Sequence, residues 1–228
     1  MFEFHVLTLG QFSRNKFWGE LDSQSYREPV CTSTLVKGEG NRNLIVDPSL
    51  PPERMAKVLY DRSGLKLEDI NFVFISHSHG DHFVGIELFQ KAAWFMGAAE
   101  LEIMGMSDNA HTREFAQKFI PVHEGNNSEA VNSGLNKSGL NESKLPQGIE
   151  FLSLPGHTLG SMGILFDSRD GRVCICGDAV MTRDFFDNRQ GYYNSADFEK
   201  SASSIQKLSE LCDIVVPGHD NYFLTGRK

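Results

Sequence analysis

Apolar residues in this chain gather in short runs divided by Gly-, Ser- and Asp-containing turns, and these runs alternate with segments of helical spacing. Val30–Val36 and Leu44–Asp47 flank the turn-rich stretch 37–43, which predicts a β-hairpin. Pro51 and Pro52 open a helix over Glu53–Ser63, with Met55, Val58 and Leu59 at core spacing and Gly64 as its stop. Between Asn71 and Ser76 lies an unbroken apolar run, the mark of a buried strand. Val84–Gln90 reads as helical, and Ala92–Phe95 and Leu101–Met104 as further short strands. Phe151–Leu154, Met162–Phe166 and Arg172–Cys176 are strands of the second half, with turns at 160–161 and 169–171. Asp197 caps a helix through about Leu211, and Ile214–Val216 is the last strand. Two similar halves of strands and helices predict an α/β fold with two sheets, each covered by helices.

Between Glu124 and Pro146 the composition shifts to Asn, Ser, Gly, Glu and Lys, with few apolar residues. Such a stretch buries too little surface to order itself by packing, so 124–146 is expected to be a mobile surface loop. Its place just before the Phe151–Leu154 strand keeps open a second role as a lid over substrate. A length of 228 residues suits one sizeable core, and a single domain spanning 1–228 is expected.

The chemistry concentrates directly after the Asn71–Ser76 strand. Residues 77–82 read His-Ser-His-Gly-Asp-His, four metal-ligand side chains (His77, His79, Asp81 and His82) in six positions. Buried imidazoles demand hydrogen-bond partners and repel one another when protonated, so this crowding is a poor way to build a core. Imidazole nitrogen and carboxylate oxygen are what a borderline divalent ion such as zinc prefers. Three more ligand-type residues follow at the ends of strand patterns: His157 in Leu-Pro-Gly-His, Asp178 in Cys-Gly-Asp and His219 in Val-Pro-Gly-His. Strand ends give fixed positions, and the loops beyond them carry chemistry. Together with the cluster these make a seven-ligand set.

On those residues the sequence resembles the metallo-β-lactamase-fold superfamily, over nearly the whole chain. The resemblance implies an αββα sandwich of two mixed β-sheets flanked by helices. It implies one ion held by His77, His79 and His157, a second by Asp81, His82 and His219, and Asp178 bridging the two. A hydroxide shared by the ions would then be the nucleophile, with Asp81 accepting a hydrogen bond from it and aiming its lone pair as the catalytic carboxylate. Two cations about 3.5–4 Å apart lower the pKa of a shared water and polarise the oxygen under attack. Asp47 matches a strand-end Asp that supports the metal loop in that family, although Pro48 replaces the usual small polar residue after it. The phrases Thr34–Gly38, Gly85–Phe89 and Pro217–Phe223 look most like small proteins of the metallo-β-lactamase domain-containing protein 1 type. N-acyl homoserine lactonases share all seven ligands but carry a Tyr three residues after the bridging Asp, where this chain has Met181.

The expected function is that of a dinuclear hydrolase acting on a small ester, thioester, lactone or phosphodiester, with two divalent ions, zinc first and iron or manganese as substitutes. An iron-dependent oxygenase on the same ligands and a metal-stabilised, non-catalytic binding module are the alternatives. Structural zinc sites are closed and four-coordinate, which counts against the last. Tyr192 and Tyr193 are expected either to pack under a long loop or to line the cleft, Asn221, Tyr222 and Phe223 are further cleft candidates, and His5, His111 and His123 lack ligand spacing.

A formal charge of −8 without any basic block argues against extended nucleic acid as a partner, since phosphate neutralisation supplies most of such affinity. A small-molecule substrate is expected instead. No run of about 18 apolar residues is present for a membrane span, and the first residues lack a basic start and a small-residue cleavage site. The four cysteines show no paired framework, and Cys174 and Cys176, two apart in a strand, are expected to face the core together. A reducing, cytoplasmic location follows as the default.

Overall fold

The computed structural model of the chain describes residues 1–125 and 145–227. The segment 126–144, which holds nearly all of the expected mobile loop, lies outside the described residues. Six strands form the first sheet in sequential order: β1 (Glu3–Thr8), β2 (Ser33–Gly38), β3 (Arg42–Val46), β4 (Ile70–Ile75), β5 (Ala93–Gly97) and β6 (Ile120–Val122). The first three pair antiparallel and the rest parallel. A second sheet is built from β7 (Glu150–Ser153), β8 (Met162–Ser168), β9 (Gly171–Gly177), β10 (Ile214–Pro217) and β11 (Phe223–Leu224), in the order β11-β10-β9-β8-β7. Only β9 and β10 run parallel there.

Strand alternation divides the apolar residues among three layers of core. In β4, Phe72 and Phe74 face the second sheet while Val73 and Ile75 face the helices behind the first. Phe74 meets Phe151 of β7 with ring centroids 5.3 Å apart, which joins the two sheets. Val173 and Ile175 of β9 enter the same central layer, and Cys174 and Cys176 point the other way, as their spacing implied. There they pack with Phe186 of α4 (Arg183–Asp187) and with Ile205 and Leu208 of α5 (Phe198–Leu211). Met55 and Leu59 of α1 (Pro52–Ser63) cover the outer face of the first sheet, joined by Met104 of α2 (Ala98–Gly105) and Ala116 of α3 (Ala110–Ala116). The layers therefore run helices, sheet, sheet, helices, the αββα sandwich expected.

The helix boundaries follow local chemistry. Pro52 opens α1 and Gly64 ends it in the left-handed region, its N–H bonded to Tyr60 O. The Asp197 side chain accepts the Lys200 N–H at 2.9 Å to begin α5.

Two expected elements are corrected. Leu101–Met104 lies inside α2 rather than in a strand. Its Ala, Leu, Glu and Met residues are strong helix formers, and four residues are too few for periodicity to separate the two states. Val84–Gln90 is not an α-helix but turns around a 3₁₀ segment, Ile86–Phe89. The Gly85 N–H is drawn to Pro48 O at 2.8 Å, a tertiary bond that local spacing cannot announce. Strand β1 went unread although Phe2, Phe4 and Val6 alternate toward the central layer.

Candidate metal centre

All seven ligand-type side chains come together where the carboxyl ends of strands from both sheets meet, the usual place for a site in α/β sheets. The loop after β4 carries His77, His79, Asp81 and His82; that after β7 carries His157; Asp178 follows β9 and His219 follows β10. Glycines let these turns close. A Cβ on Gly218 would lie 1.9 Å from Asp178 Oδ1, and one on Gly177, whose φ is +50°, would lie 2.2 Å from Ser76 Oγ. The Gly residues before Asp178 and His219 are thus required by close approach.

The donor atoms fall into two groups on either side of Asp178. On one side His157 Nε2 lies 2.9 Å from His79 Nδ1 and 3.3 Å from Asp178 Oδ2, with His77 Nε2 3.8 Å from that oxygen. On the other, His82 Nε2 and His219 Nε2 lie 3.3 and 3.2 Å from Asp178 Oδ1, and His219 Nε2 is 3.6 Å from Asp81 Oδ2. Within each group, His77–His79–His157–Asp178 and Asp81–His82–His219, the donor atoms lie within 4.8 Å of one another. Tetrahedral zinc with bonds of about 2.1 Å sets its ligands about 3.4 Å apart, so the spacing suits such an ion. His77 Nε2, His82 Nε2 and Asp178 Oδ1 are buried and have no hydrogen-bond partner among the described residues. Buried polar atoms are almost always partnered, and a cation within each group would answer these. The residues fit two ions.

Supporting hydrogen bonds fix the rings. Asp47 sits at φ +49°, where Asp and Asn are tolerated, with its carboxylate fully buried. It accepts the Ser76 N–H at 2.8 Å and the Ser76 hydroxyl at 2.7 Å, and meets His82 Nδ1 at 3.0 Å. His219 Nδ1 faces the carbonyls of Gln11 and Val30 at 2.9 and 3.0 Å. A proton on Nδ1 of both rings leaves the Nε2 lone pairs aimed inward. Cys31 Sγ lies 3.8 Å from Asp47 Oδ2, and together with His82 these form a third buried group of ligand types. Burial pushes the Cys31 thiol far up, and both oxygens of Asp47 are already bonded, so this trio serves as support.

The electrostatics divide along the same line. Burial, then repulsion from His82, holds His77 well below the usual histidine range, and burial lowers His157 to about 4. Burial also opposes a proton on His82, but the Cys31 sulfur, Asp178 and Asp47 outweigh it and raise the ring. Since Cys31 is a neutral thiol, the two carboxylates carry that effect. For His219, burial is likewise overcome by Asp178. Asp178 itself is held far down despite its burial, chiefly by His219 and His82.

The site opens into a cavity of about 170 Å³ whose lining includes Phe12, Ser13, Met181, Tyr192 and Tyr193 alongside His79 and Asp81. Tyr192 and Tyr193 thus line the cavity, one of the two placements the sequence left open. Phe12 and Ser13, on an irregular stretch before β2, were missed because nothing local announces them. Phe12 packs against Tyr192, Phe185 and the His219 ring at 5.3, 5.9 and 5.9 Å. Three cleft candidates are corrected. Phe223 is buried against Phe186, Tyr222 packs on Phe4, and the Asn221 side chain accepts the Tyr222 N–H. Pairing of β11 with β10 carries this segment away from the cavity. A buried acid, Glu100, also escaped notice within its helical surroundings.

Comparison with known proteins agrees with the geometry. Residues 26–219 match the model of the metallo-beta-lactamase superfamily. An N-acyl homoserine lactonase of Bacillus sp. is 27% identical over 207 residues, which cover 89% of this chain and 74% of that protein. The solved structure of a putative metallo-beta-lactamase from Thermotoga maritima is similar with a TM-score of 0.65 at 19% identity, covering 98% of this chain and 99% of that one. AidC, a dizinc quorum-quenching lactonase, is similar with a TM-score of 0.61 at 17% identity, over 83% of this chain and 72% of its own. Matched to the family model over most of its length and folded in the same two-sheet architecture, the chain belongs to the metallo-β-lactamase superfamily.

Proposed function

We propose that this chain is a dinuclear metal-dependent hydrolase of small, uncharged acyl esters, with lactones as the first class to test. The divergence of the two Asp178 oxygens, Oδ2 toward His157 and His77 and Oδ1 toward His82 and His219, carries the reading. One carboxylate is thereby offered to two cation positions, which is what a bridging ligand does. Two ions held there supply an acidified water and a polarised substrate oxygen. Asp81, with its side chain 25% exposed at the cavity, is the residue we assign to accept a hydrogen bond from the attacking water and orient it.

The walls favour acyl groups over phosphodiesters. No lysine or arginine lines the cavity among the described residues, and Phe12, Met181 and the two tyrosines give it an apolar side. The Tyr192 hydroxyl is engaged with Ser13 Oγ and Arg14 O at 3.3 and 3.1 Å, so its ring serves as wall. The lactonase relative supports lactones as a substrate class, and Met181 brings a thioether to the cavity wall.

The test is metal content by elemental analysis together with turnover of N-acyl homoserine lactones, aryl esters, thioesters and an aryl phosphodiester. Two ions per chain and hydrolysis of lactone or ester are expected, and Asp178→Ala should retain at most one tightly bound ion. A wild-type chain that holds two ions yet hydrolyses no ester or lactone refutes the proposal.

A further inference from the structure

Glu100 lies in the first turn of α2 with only 1% of its surface exposed, and its partners among the described residues are a backbone N–H and hydroxyls rather than a lysine or arginine. Burying a carboxylate without a cation is costly, so its environment must compensate. Its two oxygens reach two different loops. Oε1 accepts the Ser78 N–H at 2.9 Å and the Ser78 hydroxyl as well; Oε2 accepts the Thr158 hydroxyl at 2.7 Å. Ser78 lies between His77 and His79, and Thr158 follows His157. The backbone allows no slack, since a Cβ on Gly160 would lie 2.3 Å from Glu100 N.

We propose that Glu100 is a positioning residue that clamps the His77–His79 loop to the His157 loop and supplies the negative charge that strengthens cation binding at this group. The inference rests on the metal-centre reading above. Charge arithmetic supports it. Two divalent ions bring four positive charges, and Asp81 and Asp178 offer only two negative ones. The buried carboxylates of Asp47 and Glu100 add two more, one behind each group. Asp47 acts on His82 directly, whereas Glu100 acts through the backbone and hydroxyls next to three histidines. Loss of such supporting contacts commonly weakens metal affinity about 10–100-fold.

The test uses the full chain loaded with Co(II) or zinc. Affinities come from chelator competition, and the groups are told apart by imidazole N–H proton resonances shifted by Co(II). Glu100→Gln keeps one acceptor oxygen and the volume but removes the charge; Thr158→Val cuts one arm of the clamp and leaves the charge. Glu100→Gln should weaken the His77–His79–His157 group at least tenfold, and Thr158→Val several-fold. The Asp81–His82–His219 group should change less than about threefold in both. Wild-type affinity in both variants overturns the proposal, as does equal weakening of both groups with a matching drop in the melting temperature of the metal-free protein. A wild-type chain that binds no ion would sink the metal-centre reading itself, a different result from unchanged variants of a metal-binding chain.

Discussion

Replacing Asp47 tests most directly how the protein prepares a ligand before any ion arrives. Asp47→Ala would leave the Ser76 N–H buried without its partner, while the His82 Nδ1 proton would keep only the longer contact to Ser76 Oγ at 3.3 Å. Such an orphan costs about 1–3 kcal/mol, and a left-handed φ on alanine adds about 1 kcal/mol. The sum, about 2–4 kcal/mol, is a large share of the stability of a typical domain. Asp47→Asn is therefore the informative change. Asparagine tolerates φ +49°, and its oxygen still accepts from Ser76. Its amide N–H₂, however, now donates to His82 Nδ1 and moves the ring proton to Nε2, the atom aimed at Asp178. Affinity at the Asp81–His82–His219 group should fall about 10–100-fold, or about 1.4–2.8 kcal/mol. The His77–His79–His157 group should change less than about threefold, and the melting temperature of the metal-free protein by only a few degrees. Chelator competition with zinc reads the first two and calorimetry the third. If Asp47→Asn binds both ions as tightly as the wild type, the tautomer argument is wrong.

His79→Ala should abolish most hydrolysis and release the ion at its own group while keeping most of the fold, because the ring is only half-buried; full activity with two ions retained would remove His79 from the ligand set. The pH dependence should divide the groups. His82 and His219 hold protons above the usual histidine range, so uptake at their group releases protons and weakens as pH falls, while His77 and His157, already neutral, bind without that penalty. Isothermal calorimetry in two buffers of different ionisation enthalpy measures the protons released, and none released near neutral pH would contradict the assignment. Phe74→Ala, at a fully buried ring between the sheets, should cost about 3–5 kcal/mol in denaturant unfolding of the metal-free protein, and a loss under 1 kcal/mol would mean the sheets do not lean on it.

Much of the fold was legible because its signals are local. The apolar run of β4, the prolines and glycine bounding α1 and the Asp197 cap each depend on neighbours a few residues away. Leu101–Met104 failed for the same reason in reverse. Four apolar-rich residues carry no period, and packing of Met104 under the first sheet decided for helix. Pro217-Gly-His219 pointed to a side chain that the fold places beside Asp178 and Asp81, but the aromatic residues after it turn away because β11 pairs with β10.

The sequence by itself determined the candidate set, since His77, His79, Asp81, His82, His157, Asp178 and His219 declare themselves as ligand types by residue and by standing at strand ends. Only the tertiary structure decided how they divide. The splitting of the Asp178 oxygens, the reach of Glu100 to both Ser78 and Thr158, and the placing of Phe12 against His219 join residues separated by tens to hundreds of positions. Side-chain type and short-range period are properties of the chain. Which atoms face one another across two packed sheets depends on register and layer contact, and these exist only once the chain has folded.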